Sequence, residues 1–226
     1  MQSSFRLLTF NVYDDVVRDD DDDNDNSPSN DKWNPNKKFI IQMFALNENG
    51  ETATIYVNDF NPYFYVKVDL QWTNEDRIGF ISQLTSELGR MHEESILSSK
   101  FIKKKNLYGF DCGKYYNFIL IQFKNEGAMK KAKNLWYINY KKFGEQIREL
   151  NENGYEYGDY KTYLYEAHIP PLLRMFHIKE ISPSGWISLP NKKLSHPKNK
   201  KTSCKYEFNI SYKDIIPLPE KETIVP

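Results

Sequence analysis

The sequence predicts an α+β chain. Three observations carry that reading: β-type runs rich in aromatic and branched residues crowd both ends, two segments with helical periodicity lie between them, and those segments alternate with further β-type runs. Of the 226 residues, 39% are hydrophobic and 15% aromatic, enough for one large domain or two small ones with a true core.

The first element is a strand through Phe5, Leu7, Thr9, Asn11 and Tyr13, interleaved with Arg6, Leu8, Phe10 and Val12. An acidic insertion follows over residues 14–31. Its core, from Asp19 to Asn30, holds no apolar side chain to bury and reads as a solvated, mobile loop, with a polyanion that mimics nucleic acid as the alternative. Phe39 to Leu46 and Thr52 to Val57 read as two strands of a hairpin around Asn47-Glu48-Asn49-Gly50. Pro62 precedes a strand from Tyr63 to Val68, where its missing N–H costs nothing.

Thr73 reads as a helix N-cap with Asp76 in the first turn, and Ile78, Ile81, Leu84, Leu88 and Met91 form an apolar stripe at spacings of three and four. Ile96 to Lys104 is β-type, Gly113 marks a turn, and Tyr116 to Phe123 is the next strand. A second helix is predicted from Asn125 to Leu150, because Met129, Ala132, Trp136, Tyr140, Phe143, Ile147 and Leu150 again recur every three or four residues. Residues 151–159 read as a loop and Thr162 to Tyr165 as a strand. From Tyr63 onward the order is strand, helix, strand, strand, helix, strand, the split βαβ pattern shared by ferredoxin-like and RNA-recognition folds. Pro170-Pro171 then opens a helix holding Leu172, Leu173, Met175, Phe176 and Ile178, and Trp186 to Leu189 and Tyr206 to Ile210 read as strands around a lysine-rich loop. The predicted division is a β-rich part over 1–62, a ferredoxin-like lobe over 63–166, and a helix with strands over 167–226 that return to the first part as an oligonucleotide-binding-like lobe.

No run of eighteen apolar residues occurs, mean hydropathy is −0.72, and the N-terminus lacks a basic-then-apolar leader pattern. An intracellular protein without a membrane partner is expected. Cys112 and Cys204 suit neither a disulfide framework nor a zinc site. The four histidines, His92, His168, His177 and His196, lie outside metal-ligand spacings, and Glu166 beside His168 has no nucleophile elbow or phosphate loop to serve.

The formal charge is zero, with 31 basic and 31 acidic residues. That sum hides two unlike parts. Residues 1–31 set Arg6 and Arg18 against nine aspartates, a net −7, so the remaining chain is +7. Residues 100–148 carry twelve Lys or Arg against Asp111, Glu126 and Glu145, and residues 192–205 carry six lysines and no acid. Lys100, Lys103, Lys104 and Lys105, followed by Tyr108 and Phe110, combine cations for phosphates with rings for unpaired bases. A hairpin with a lysine-bearing outer face and aromatic residues in the core reads identically.

Several stretches resemble family B DNA polymerases, above all the delta catalytic subunit and its counterparts in large DNA viruses. They are Asp59 to Val66, Lys104 to Phe110, Tyr165 to Pro170 continuing through Leu172-Leu173-Arg174-Met175-Phe176, Gly185-Trp186-Ile187, and Cys204 to Phe208. Their order and spacing resemble the family's from about Phe5 onward. The resemblance implies a segment of a replicative DNA-directed DNA polymerase that precedes the 3′-5′ exonuclease domain, packs on exonuclease and palm, and guides the single-stranded template. It implies Mg²⁺ for the parent enzyme and none in this segment, since no Asp-x-Glu, Ser-Leu-Tyr-Pro or Asp-Thr-Asp motif occurs here. The implied location is the nucleus or a cytoplasmic viral replication site. Template DNA and the remaining polymerase domains are the implied partners, with Lys103, Lys104, Lys105, Tyr108 and Phe110 near the template and Arg174, Lys192 and Lys193 as further contacts. An autonomous single-strand-binding or protein-docking module is the alternative reading.

Overall fold

The structure is a computed structural model that describes residues 2–16, 36–105, 112–197 and 199–219. The acidic run 19–30, Tyr108 and Phe110 lie outside the described residues. The fold is mixed α+β with mostly sheet, and it divides into two compact units, Met1–Asn61 with Pro170–Pro226, and Pro62–Ile169.

The first unit is built on a curled six-stranded sheet. Its strands are β1 (Gln2–Val16), β2 (Lys37–Asn47), β3 (Thr52–Val57), β11 (Trp186–Pro190), β12 (Tyr206–Asn209) and β13 (Ile216–Leu218), in the order β12-β3-β2-β1-β11-β13. β1 pairs with β2 along most of its length, and a register shift between Leu7 and Thr9 marks a bulge that bends a long strand. The β2–β3 turn closes on Gly50 at φ 76°, where a residue without Cβ is needed, and Asn47 Oδ1 accepts from the backbone N–H of Asn49 and Glu51. β12 lies parallel to β3 with Phe208 opposite Ile55, so residues far apart in sequence share one core with Phe5, Leu7, Ile41, Met43, Val57 and Ile187. Helix α3 (Pro171–Lys179) starts on proline and ends at Glu180 in the left-handed conformation. Pro171, Met175 and Phe176 are its buried apolar residues, and Phe176 meets Phe10 edge to face at 4.9 Å, whereas Leu173 and Ile178 are exposed.

The second unit holds β4 (Tyr63–Val68), α1 (Asn74–Leu88), β5 (Ile96–Lys105), β6 (Tyr115–Phe123), α2 (Glu126–Lys133), the hairpin β7 (Tyr137–Lys142) and β8 (Glu145–Leu150), β9 (Tyr155–Tyr157) and β10 (Tyr160–Tyr165). Five of these strands form an antiparallel sheet in the order β5-β6-β4-β10-β9. Period-two alternation in β4 sends Phe64, Val66 and Val68 to the face covered by both helices. There they meet Ile119, Ile121 and Phe123 of β6, Phe80, Leu84 and Leu88 of α1, Met129 and Ala132 of α2, and Trp136, which is fully buried and donates from Nε1 to Thr162 at 3.2 Å. Thr73 caps α1, as the sequence predicts, and Asp76 closes a capping box with it.

Four expectations are corrected here, the first at the start of the acidic insertion expected over 14–31: strand β1 continues to Val16, with Asp14 opposite Phe39 and Asp15 opposite Lys38. The buried stripe of α1 is Phe80, Leu84 and Leu88 at strict spacings of four; Ile78 is 60% exposed and Met91 is exposed too. The second helix ends at Lys133, and the three-four pattern beyond Trp136 belongs to a β-hairpin, with Tyr140 opposite Ile147. Phe143 and Gly144 both have positive φ, 54° and 87°, which a helix forbids and a tight two-residue hairpin turn requires. The predicted loop 151–159 also contains a short strand, β9, paired with β10.

Candidate nucleic-acid interface

The same alternation that buries Phe64 and Val66 turns Tyr63, Tyr65 and Lys67 to the other face of the five-stranded sheet. Opposite and beside them stand Tyr116, Phe118 and Leu120 of β6, Lys100, Ile102 and Lys104 of β5, and Tyr163 and Tyr165 of β10. Tyr65, Phe118 and Leu120 are buried, with Tyr63, Ile102, Tyr116 and Tyr165 packed partly against them. Phe118 and Tyr165 meet edge to face at 5.1 Å, and so do Tyr63 and Tyr65 at 5.7 Å. Two lysines cover this aromatic layer: Lys104 Nζ lies 3.8 Å from the Tyr65 ring centroid, and Lys67 Nζ the same distance from that of Tyr116. Such contacts contribute about 0.5–2 kcal/mol each, depending on desolvation. Glu166, at left-handed φ 56°, brings a carboxylate to 4.0 Å from Lys104. A depression of about 360 Å³ opens nearby, lined by Lys67, Tyr163, Tyr165, Leu150 and Trp136.

The lysine run is split by the strand that carries it. Lys104 stands on the aromatic face opposite Tyr116, whereas Lys103 and Lys105 alternate to the other side, opposite Asn117 and Tyr115. Lys105 Nζ lies 5.2 Å from the Tyr115 ring. Tyr108 and Phe110 lie outside the described residues. In the other unit, Arg174 is only 6% exposed on α3, and Lys192 and Lys193 sit in an exposed 3-10 turn where Lys193 comes within 3.9 Å of Asp214. Sequence reasoning did not single out Tyr65, Lys67 and Tyr116, though Tyr-x-Tyr-x-Lys at every second position of β4 already placed Tyr63, Tyr65 and Lys67 on one face.

The lysine-rich loop before β12 is held by acids rather than left open. Glu51 accepts from Lys205, Asn47 and Tyr206, bonds that hold its carboxyl down at about 2. Burial pushes the Glu207 carboxyl up, but hydrogen bonds from Thr202 and from the backbone N–H groups of Lys201 and Thr202 outweigh it, and the group stays below its ordinary range. Lys200 donates to the carbonyls of Cys204 and Lys205. Among the described residues no cluster of three His, Cys, Asp or Glu forms a metal site. No helix of the described residues is long and apolar enough to cross a membrane.

Residues 162–226 match the family model for the DNA polymerase family B exonuclease domain, from within β10 onward. The chain is 47% identical over 212 residues to a DNA polymerase of Phaeocystis pouchetii virus, covering 94% of this chain and 20% of that protein. It is 29% identical over 182 residues to the DNA polymerase delta catalytic subunit of Schizosaccharomyces pombe, covering 79% of this chain and 16% of that one. The chain thus spans a fifth or less of the length of these curated relatives. In fold it is similar to the family B DNA polymerase from the hyperthermophilic archaeon Pyrobaculum calidifontis, with a TM-score of 0.52 at 14% identity over 95% of this chain and 21% of that chain. The motifs from Asp59 to Phe208, the exonuclease-domain match and the viral and delta-subunit relatives agree: the chain belongs to family B of the DNA polymerases.

Proposed function

We propose that this chain serves, within a replicative DNA-directed DNA polymerase, as the segment ahead of the exonuclease active site, bracing exonuclease and palm and guiding single-stranded template. The observation that carries the reading is the 47% identity over 94% of the chain to a viral DNA polymerase. In this reading Mg²⁺ and both two-metal sites belong to the rest of the polymerase, the partners are template DNA and the other polymerase domains, and the protein works at a site of DNA replication inside the cell. The division into 1–62, 63–166 and 167–226 is part of the same proposal.

A ferredoxin-like assignment of the second unit is supported by its strand order. Numbered along the chain, β4, β5, β6 and β10 are the first to fourth strands and stand as fourth, first, third, second across an antiparallel sheet, with helices on one face. The oligonucleotide-binding-like assignment of the first unit is supported by both ends of the chain joining one curled sheet. Template contact through Lys104 is supported by a face where ammonium groups lie beside tyrosine rings, joined here by Lys67, Tyr65 and Tyr116, whereas Lys103 and Lys105 alternate to the other side of β5, where Lys105 lies beside Tyr115. Arg174, being buried, is assigned to the support of α3.

The test is equilibrium binding of the chain to a fluorescein-labelled single strand and to the corresponding blunt duplex. Preference for the single strand is expected, because unpaired bases expose stacking faces that a duplex hides. Equal or absent binding to both would overturn template guidance.

A further inference from the structure

The hairpin β7–β8 forms a two-stranded sheet of its own, and at its tip Phe143 is 98% exposed. Two features make this residue expensive. An aromatic ring stands almost wholly in water, and its backbone adopts φ 54°, a left-handed conformation that Asn or Gly takes easily and Phe does not. The pair Phe143-Gly144, with φ 54° and 87°, has the signs of a tight turn whose favoured first residue is Asn. A strained, exposed ring where a polar residue would fold better points to a contact made by the ring.

The surroundings say what kind of contact. Lys141 and Lys142 directly precede the ring and are exposed. By register, one face of the hairpin carries Tyr137, Asn139 and Lys141 with Gln146, Arg148 and Leu150, and no carboxylate. Arg148 lies 4.9 Å from the Tyr137 ring and donates to Asn134 at the end of α2. It thereby stands close to Lys133, whose ammonium is held below its ordinary range by burial and by the charges of Arg148 and Lys130. Cations therefore run from the end of α2 along the hairpin to its tip.

We infer that the β7–β8 hairpin is a second nucleic-acid contact, in which Phe143 stacks on an unpaired base while Lys141, Lys142 and Arg148 meet the adjoining phosphates. A partner bearing both flat apolar faces and closely spaced negative charge fits an exposed ring that follows two lysines and adjoins the carboxylate-free face of Lys141 and Arg148, with Glu145 opposite Lys142 on the other face. The contact is made by a different element from the Lys104–Tyr65 face, although Leu150 at the hairpin's base shares a depression with Lys67, Tyr163 and Tyr165. It rests on the proposed function only for the supply of single-stranded DNA.

The experiment is fluorescence anisotropy of the 226-residue chain with a fluorescein-labelled oligothymidylate, for wild type, Phe143→Asn and Phe143→Trp, with a thermal melt of each. Phe143→Asn is expected to melt no lower than wild type, since it relieves the turn, and to bind on the order of ten-fold more weakly. Phe143→Trp is expected to bind at least as tightly as wild type. Wild-type affinity in Phe143→Asn would overturn the proposal, and would point to a protein contact for the ring. Equal weakening by both variants would overturn it as well. Lys67→Gln with Lys104→Gln, assayed alongside, reports on the sheet face, so the two surfaces fail or succeed separately.

Discussion

Lys104 Nζ lies 3.8 Å from the centroid of the Tyr65 ring, across β6, and within 4.0 Å of a Glu166 carboxylate oxygen. The lysine thus covers a buried tyrosine instead of projecting freely from the strand. Its neighbours Lys103 and Lys105 alternate to the opposite side. A strand cannot present three consecutive lysines to one ligand, and this separation makes their roles distinguishable.

If template runs over the aromatic face, Lys104→Gln and Lys67→Gln each reduce the steepness of the salt dependence by about 0.7 in log–log slope, the share of one phosphate contact on a single strand. Lys103→Gln and Lys105→Gln then leave it unchanged. A reversed pattern would place the strand on the other side of β5. Salt titrations of the four single variants read this directly.

Trp136 is the side chain whose loss should cost the second unit most. It is fully buried, meets Phe64 and Phe80 edge to face and Tyr155 at a tilt, and donates to Thr162 on β10. Trp136→Ala is expected to destabilise by about 3–5 kcal/mol, and Trp136→Phe by less because much of the volume remains. Urea unfolding measures both.

Gly154 carries φ 74°, and a Cβ there would meet the carbonyl oxygen of Thr162 at 2.4 Å. Backbone cannot swing aside as a side chain can. Gly154→Ala is therefore expected to lower the melting temperature, and Gly50→Ala, also at positive φ but with open space around it, to lower it less. Equal shifts would mean that the clash is relieved at no cost.

Glu207 and Glu51, both held below their ordinary range when folded, should contribute to the acid side of the stability profile alongside Asp76. The sign follows from linkage: their contribution is present above the unfolded carboxylate value of about 4.3 and is lost as pH falls through the lower folded values. Glu207→Gln leaves one acceptor oxygen for three donors, two of them backbone N–H groups, but removes the charge and turns the other oxygen, which accepts from Lys201 N–H, into a donor. It is expected to cost on the order of 1–3 kcal/mol at neutral pH. It should also flatten the decline of stability below pH 5 or so, measured by denaturant unfolding across pH.

Much of the fold was legible because local chemistry and tertiary demand agree. The Thr73 N-cap, the Gly50 turn and the alternation of Tyr63 to Val68 each predict what forms. The stretch from Trp136 to Leu150 was not legible by periodicity. A spacing of three and four fits a helix, and the residues it picks out are here distributed along two strands whose partners are each other. The decisive signal was Phe143-Gly144, where a positive φ at a non-glycine residue is invisible in composition. The candidate site was half legible for a related reason. Lys103, Lys104 and Lys105 are adjacent in sequence, but a strand separates them, and the tyrosines that organise Lys104 and Lys67 come from β4 and β6.

The most direct test of the account is a salt titration of the chain's affinity for a labelled single strand. The account predicts a linear fall of log affinity with log salt, with a slope on the order of −2 to −3 for three or four lysine–phosphate contacts, and a shallower slope for Lys67→Gln with Lys104→Gln. A flat titration, or no binding at low salt, would contradict it.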